Sequence, residues 1–187
     1  IKSIEHMLLI LEDATEWAQI QIIDFITEYM PPNAEAVNEL DIINRLSTRL
    51  YYYNSSLTMS TVRCCLKMCL IKKNEEWTKA VLSKIIPPFV FLLYKPSEIQ
   101  YVVLRSITVL LQKYKNIFSE NIEFFFCKSD DPSYIKNEKL DIITLLSCEN
   151  NTTKILNELI KYPHDMDIKF ARKCIQVIGK LAIMYPH

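Results

Sequence analysis

The sequence predicts an all-α protein, a HEAT- or armadillo-like α-solenoid of about five antiparallel helix pairs. Three observations carry that expectation. Apolar residues recur at spacings of three and four along the chain, as in Ile20, Ile23 and Ile26 or Leu104, Ile107 and Leu111, and that is the period of a helix with one buried face. The 187 residues contain a single glycine, Gly179. Rossmann fingerprints, phosphate-binding loops and tight hairpins need several glycines at fixed spacing, so nucleotide-cradling α/β folds and glycine-turned sandwiches are excluded. Finally, similar blocks return every 33 to 42 residues.

The elements follow in order. Helices are expected near 2–12, 16–30, 34–52, 57–72 and 76–94, then near 97–114, 119–127, 133–148, 152–162 and 167–185. Pro31-Pro32-Asn33 stops the second helix, because proline removes a donor and clashes with the preceding turn. Asn54-Ser55-Ser56 supplies a polar cap before the fourth. Ile85 through Leu93 reads as the first helix of a HEAT unit, with Pro87 and Pro88 kinking it over its neighbour. Pro96 and Ser97 stand where the next helix starts. Asp130-Asp131-Pro132 and Asn150-Asn151-Thr152 provide the remaining turns. Short links make successive helices antiparallel.

Aligning the second helix of each pair gives the repeat. Ala18–Asp24, Leu57–Arg63, Ile99–Arg105, Ile135–Asp141 and Ile168–Cys174 fall into register, at offsets of 39, 42, 36 and 33 residues. Apolar helices precede the middle blocks, at Leu40–Leu50, Ile85–Leu93 and Ile117–Phe126. Two helices per period of about 40 residues is the HEAT or armadillo signature. Residues 1–187 are therefore read as a single solenoid segment. The chain opens on Ile1 inside an apolar pattern, which reads as a fragment of a longer protein.

Composition narrows the function. Half of the residues are apolar, ample for a core. The 22 basic and 22 acidic residues balance, which argues against non-specific nucleic-acid binding. The run Met7–Leu11 lacks a basic lead, so no signal peptide is expected, and the apolar stretch Ile85–Tyr94 is about half the ~20 residues of a membrane span. Cys64, Cys65 and Cys69 crowd one helix, and Cys127, Cys148 and Cys174 are scattered singly. With no CxxC pair, they read as buried, reduced residues of a cytosolic protein. Asn54-Ser55-Ser56 and Asn151-Thr152-Thr153 match the glycosylation triplet but read as helix-flanking turns.

Chemistry has little foothold. His6, His164 and His187 are far apart, so neither a metal site nor any other cofactor is expected. The carboxylates gather at helix starts, as at Asp130-Asp131 and Asp165 with Asp167, where they suit the helix dipole. Lys72-Lys73, Lys113 with Lys115, and Lys128 form small basic spots that read as solvated helix ends, with a contact to an anionic membrane or a small GTPase as the alternative. Tyr51-Tyr52-Tyr53 and Phe124-Phe125-Phe126 cannot all point into one core stripe; packing at a seam between repeats is favoured over a partner interface.

Several segments together resemble the trunk of the β-adaptins, large subunits of the clathrin adaptor complexes. They are Glu16-Trp17-Ala18-Gln19-Ile20, Pro87-Pro88-Phe89 through Leu93, Glu98 through Arg105, Asp131 through Lys136, Glu138 through Ile142, and Phe170 through Lys173 with Ile178-Gly179-Lys180. The resemblance runs in order from about Glu12 to Ile183 and points to the β subunits of the first and second adaptor types. It implies a non-enzymatic scaffold in vesicle-mediated transport, cytoplasmic and peripheral on coated vesicles of the Golgi, endosome or plasma membrane. The implied partners are the medium, small and second large subunits. Clathrin binding is implied only through a hinge outside this chain. Arf-type small GTPase and anionic membrane contacts are implied through N-terminal repeats, also outside it. The alternatives are another HEAT transport scaffold, such as a coatomer subunit or transport receptor, or an all-α cysteine-dependent enzyme domain. One residue is singled out. Met166 lies between Asp165 and Asp167 before the last helix; it reads either as a staple on the first turn or, as the resemblance implies, as an apolar contact to the medium subunit's cargo-binding domain.

Overall fold

The computed structural model describes residues 2–29, 39–72, 74–114, 117–162 and 167–185. Among these, every regular element is helical, as the apolar period requires. The chain divides into two compact units, Ile1–Phe89 and Val90–His187.

The first unit holds α1 (Lys2–Ile10), α2 (Glu16–Tyr29), α3 (Glu39–Ser47), α4 (Ser55–Lys72) and most of α5 (Glu75–Leu92). A 3-10 turn, Thr48–Tyr51, extends α3. α2 and α3 both pack on α4. Their apolar faces meet in a core that includes Ile23, Ile26, Leu46, Leu57, Val62 and Met68. Burying such side chains contributes about 1.5–3 kcal/mol each, set against the entropy of ordering them. α5 runs on through Pro87 and Pro88.

The second unit holds the end of α5, then α6 (Ser97–Lys113), α7 (Ser133–Leu146), α8 (Thr152–Leu159) and α9 (Ile168–Met184). α7 packs on both α6 and α9, and α8 packs on α9. The expected helix at 119–127 is instead a 3-10 segment, Ser119–Phe125, broken where Asn121 leaves helical geometry at φ −110° and ψ 26°. It packs on α7 and buries Phe118 and Phe125 edge to face, with ring centroids 5.6 Å apart. Two buried aromatics anchor a segment too short for a stable α-helix of its own.

The repeat is visible in detail. The second residue of each sequence block is polar: Gln19, Thr58, Gln100, Lys136 and Lys169. Gln19 Nε2 donates to the Ala14 carbonyl at 2.9 Å, and Gln100 Nε2 donates to the Lys95 carbonyl at 2.8 Å. Thr58 Oγ1 reaches the Tyr52 carbonyl at 3.5 Å. These three satisfy a backbone acceptor in the link before their helices. The last block needs a correction. Ile135 is fully buried, whereas Ile168 is 75% exposed. Phe170, Cys174, Val177 and Leu181 are buried as Ile135, Lys139, Ile142 and Leu146 are. The register therefore slips by two residues, with Phe170 taking the place expected for Ile168. The cause is the cap: Asp167 starts α9, leaving Ile168 in a first turn that faces outward.

Candidate interaction surface

The surface is built on seams between neighbouring second helices. In the first unit, Arg63 Nη1 on α4 lies 3.6 Å from Asp24 Oδ1 on α2. Beside it, Lys67 Nζ donates to the Glu28 carbonyl at 3.3 Å. In the second unit, Arg105 on α6 lies 3.5 Å from Glu138 on α7. One seam further on, Lys173 on α9 pairs with Asp141 on α7 at 2.7 Å. Each tie joins residues about one repeat apart. All are partly exposed, so each contributes about 0–1 kcal/mol and works mainly to fix register.

The expected helix-start carboxylates divide. Asp167 is a true N-cap: its Oδ1 accepts from Lys169 N–H at 2.9 Å and Phe170 N–H at 3.2 Å. Bonding to the Ser133 hydroxyl and to these amides holds its carboxyl below the usual carboxylate range. Asp131 is not a cap. It is buried against Lys139 Nζ at 2.5 Å, with side chains 8% and 4% exposed, and it accepts Lys128 N–H at 2.9 Å. Cys127 N–H donates to Tyr162 Oη at 2.8 Å. The turn before α7 is thus pinned from two sides.

All six cysteines are thiols. Cys64, Cys65, Cys69 and Cys174 are buried as expected; Cys127 and Cys148 are half-buried. Burial pushes the Cys64 thiol up to about 11 and Cys127 up to about 12. Burial likewise raises Cys65. Thiols so protonated at neutral pH are poor nucleophiles. No group of three or more His, Cys, Asp or Glu side chains that could hold a metal occurs among the described residues. No helix there is long and apolar enough to cross a membrane.

The aromatic runs behave differently. Phe125 enters the core while Phe124 stays at the surface. Tyr51, Tyr52 and Tyr53 are all exposed, so this run places no ring in the core. They close the 3-10 turn and the link to α4, where the backbone leaves helical geometry at Tyr52 (φ −69°, ψ 153°). Sequence reasoning also missed the exposed aromatics of α2, Trp17, Phe25 and Tyr29, the last two stacked at 4.4 Å. Met166, the one site residue expected from sequence, lies outside the described residues.

The family described as Adaptin N terminal region matches residues 2–187. The chain belongs to the adaptin N-terminal family. Among its relatives, AP-1 complex subunit beta-1 of Mus musculus is 37% identical over 183 residues, covering 97% of this chain and 19% of that protein. AP-1 complex subunit beta of Dictyostelium discoideum is 33% identical over 181 residues, again 97% of this chain and 19% of the relative. AP-2 complex subunit beta of Schizosaccharomyces pombe is 37% identical over 177 residues, 92% of this chain and 25% of the relative. This adaptin chain thus resembles β subunits and spans about a fifth to a quarter of their length. A solved engineered protein covers 97% of this chain and 80% of its own, with a TM-score of 0.58 at 14% identity. That likeness shows the all-α, solenoid-like fold alone.

Proposed function

We propose that this adaptin chain is a stretch of the trunk of a β subunit in a clathrin-associated adaptor complex. Its work is scaffolding in vesicle-mediated protein transport, without catalysis. The observation that carries this reading is the family match from residue 2 to residue 187, with β subunits of AP-1 and AP-2 complexes among the relatives. The stacked second helices and their seam ties support it physically, because such stacks form extended surfaces that partner subunits fill. Burial that keeps the Cys64, Cys65 and Cys127 thiols protonated weighs against the cysteine-dependent alternative. On this reading residues 1–187 act as one solenoid segment in the cytoplasm, at coated vesicles. Its partners are the medium, small and second large subunits. Clathrin, Arf-type GTPases and membrane engage parts of the protein beyond this segment. The test is affinity isolation of the intact protein from its source cell. Recovery of a medium, a small and a second large adaptor subunit in equal amounts is expected. Recovery of coatomer or a nuclear transport cargo instead would overturn the reading.

The finer proposal is that Met166 contacts the medium subunit's cargo-binding domain and biases a closed state of the complex. Met166→Ser in the assembled complex is expected to leave the melting temperature unchanged and to raise binding of tyrosine-motif cargo. A fall in melting temperature with cargo binding unaltered would identify Met166 as a staple and discard the contact.

A further inference from the structure

We propose that the first unit carries a second interaction surface, an aromatic patch with an acidic edge that takes a basic, Arg- or Lys-containing segment of a partner protein. Its aromatic part comes from two links. Trp17, in the first turn of α2, is 75% exposed, and Tyr51, Tyr52 and Tyr53, before α4, are 64%, 37% and 88% exposed. The two places are tied together. Asn54 Nδ2 donates to Glu16 Oε2 at 3.0 Å, so the residue after Tyr53 is held against the residue before Trp17. The tyrosine link is itself ordered: Asn54 Oδ1 accepts Ser56 N–H at 3.0 Å, and Thr58 bonds the Tyr52 carbonyl. Arg49, buried in the 3-10 turn, reaches the Leu11 carbonyl at 3.4 Å and fixes that turn against the link before α2.

The acidic edge comes from the same link. Glu12, Asp13 and Glu16 are all exposed, and Arg45 approaches Glu12 at 4.0 Å. Tryptophan and tyrosine are the side chains that dominate binding energy at interfaces, because they add large rigid area at little entropic cost. Their ring faces attract cations, arginine above all. Carboxylates beside them add attraction for positive charge and repel anionic surfaces, which sets a basic peptide ahead of a lipid headgroup.

The experiment titrates the intact protein with a fluorescently labelled peptide of alternating arginine and leucine, and with its glutamate-leucine counterpart, at two salt concentrations. Preferential binding of the arginine peptide, weakened by salt, is expected. Trp17→Ala and Tyr53→Ala should each weaken it about tenfold, and Glu16→Gln less, with the circular dichroism melt of Trp17→Ala unchanged. Asn54→Ala should weaken binding with both rings intact, because it unties the two links. Equal binding of the two peptides, no binding of either, or affinity unmoved by Trp17→Ala and Tyr53→Ala would overturn the proposal. Binding to phosphatidylserine vesicles in place of the peptide would overturn it in favour of a membrane contact. Subunit assembly is read separately in the affinity isolation, so failure here leaves the adaptor reading standing.

Discussion

Lys139 and Asp131 form an ion pair at 2.5 Å with both side chains almost completely buried. They are eight positions apart, and the pair closes the turn before α7 onto the second turn of that helix. Asp131 uses the same oxygen to accept Lys128 N–H. Removing one partner strands a charge in the interior, which costs about 3–5 kcal/mol. Lys139→Met should therefore destabilise the chain by that order. Asp131→Leu with Lys139→Met should recover most of the loss, though not the bond to Lys128 N–H. Urea denaturation of the three proteins checks this; a Lys139→Met loss below about 1 kcal/mol would show that the pair behaves as if exposed.

Asp167 gives a prediction in pH. Its carboxyl is held below the ordinary 3.8, by the Ser133 hydroxyl first and then by the Phe170 and Lys169 amides. A group with a lowered folded value binds fewer protons folded than unfolded. Its stabilisation is present above the unfolded value and is lost as pH falls through the lowered one. The melting temperatures of the wild-type chain and Asp167→Ala should differ at neutral pH and converge below pH 3.8. A gap that persists undiminished in acid would show that the cap acts through its neutral form.

Much of the fold can be read in the sequence because helices signal themselves locally. The spacing of Ile20, Ile23 and Ile26 marks one buried face, and all three are buried. Asn54 and Asp167 mark helix starts with side chains that bond their own backbone. What local pattern hides is pairing at a distance. Asp131 looks like any helix-start acid, and only the folded turn sets it on Lys139. Ile168 and Phe170 are both apolar and two apart, so periodicity alone does not choose between them; the cap at Asp167 does. The aromatic patch is hidden for the same reason. Asn54 and Glu16, the neighbours of Tyr53 and Trp17, are tied across 38 positions, a contact that no spacing announces.

The cysteines should be slow to react. Burial raises the thiols of Cys64 and Cys127 to about 11 and about 12, so very little thiolate exists at neutral pH. Cys127 and Cys148 are the two half-buried thiols of the six, and burial holds Cys127 protonated. A thiol reagent added to the native chain is expected to label Cys148 first, with Cys64 and Cys65 following only as fast as the first unit opens. In denaturant without reductant, all six should react. Rapid native labelling of Cys64 would mean that α4 opens from α2 far more easily than its packing implies.

Gly179 stands in the interior of α9, is exposed, and is the chain's single glycine. A Cβ built there meets nothing within 4 Å, so no contact among the described residues requires the glycine. Glycine in a helix interior costs about 0.8–1.0 kcal/mol relative to alanine, mostly through the greater freedom of the unfolded chain. Gly179→Ala should therefore stabilise the isolated chain by up to about 1 kcal/mol, read as a rise in melting temperature without a change in helical content. Its neighbours Ile175 and Ile183 are exposed on the same helix. If the bare backbone lets another helix come close in the assembled protein, the same substitution will weaken assembly while strengthening the part. Gly179→Ala that stabilises the chain and leaves subunit recovery unchanged would show that the glycine serves no contact; a loss of stability in the isolated chain would contradict the open space around it.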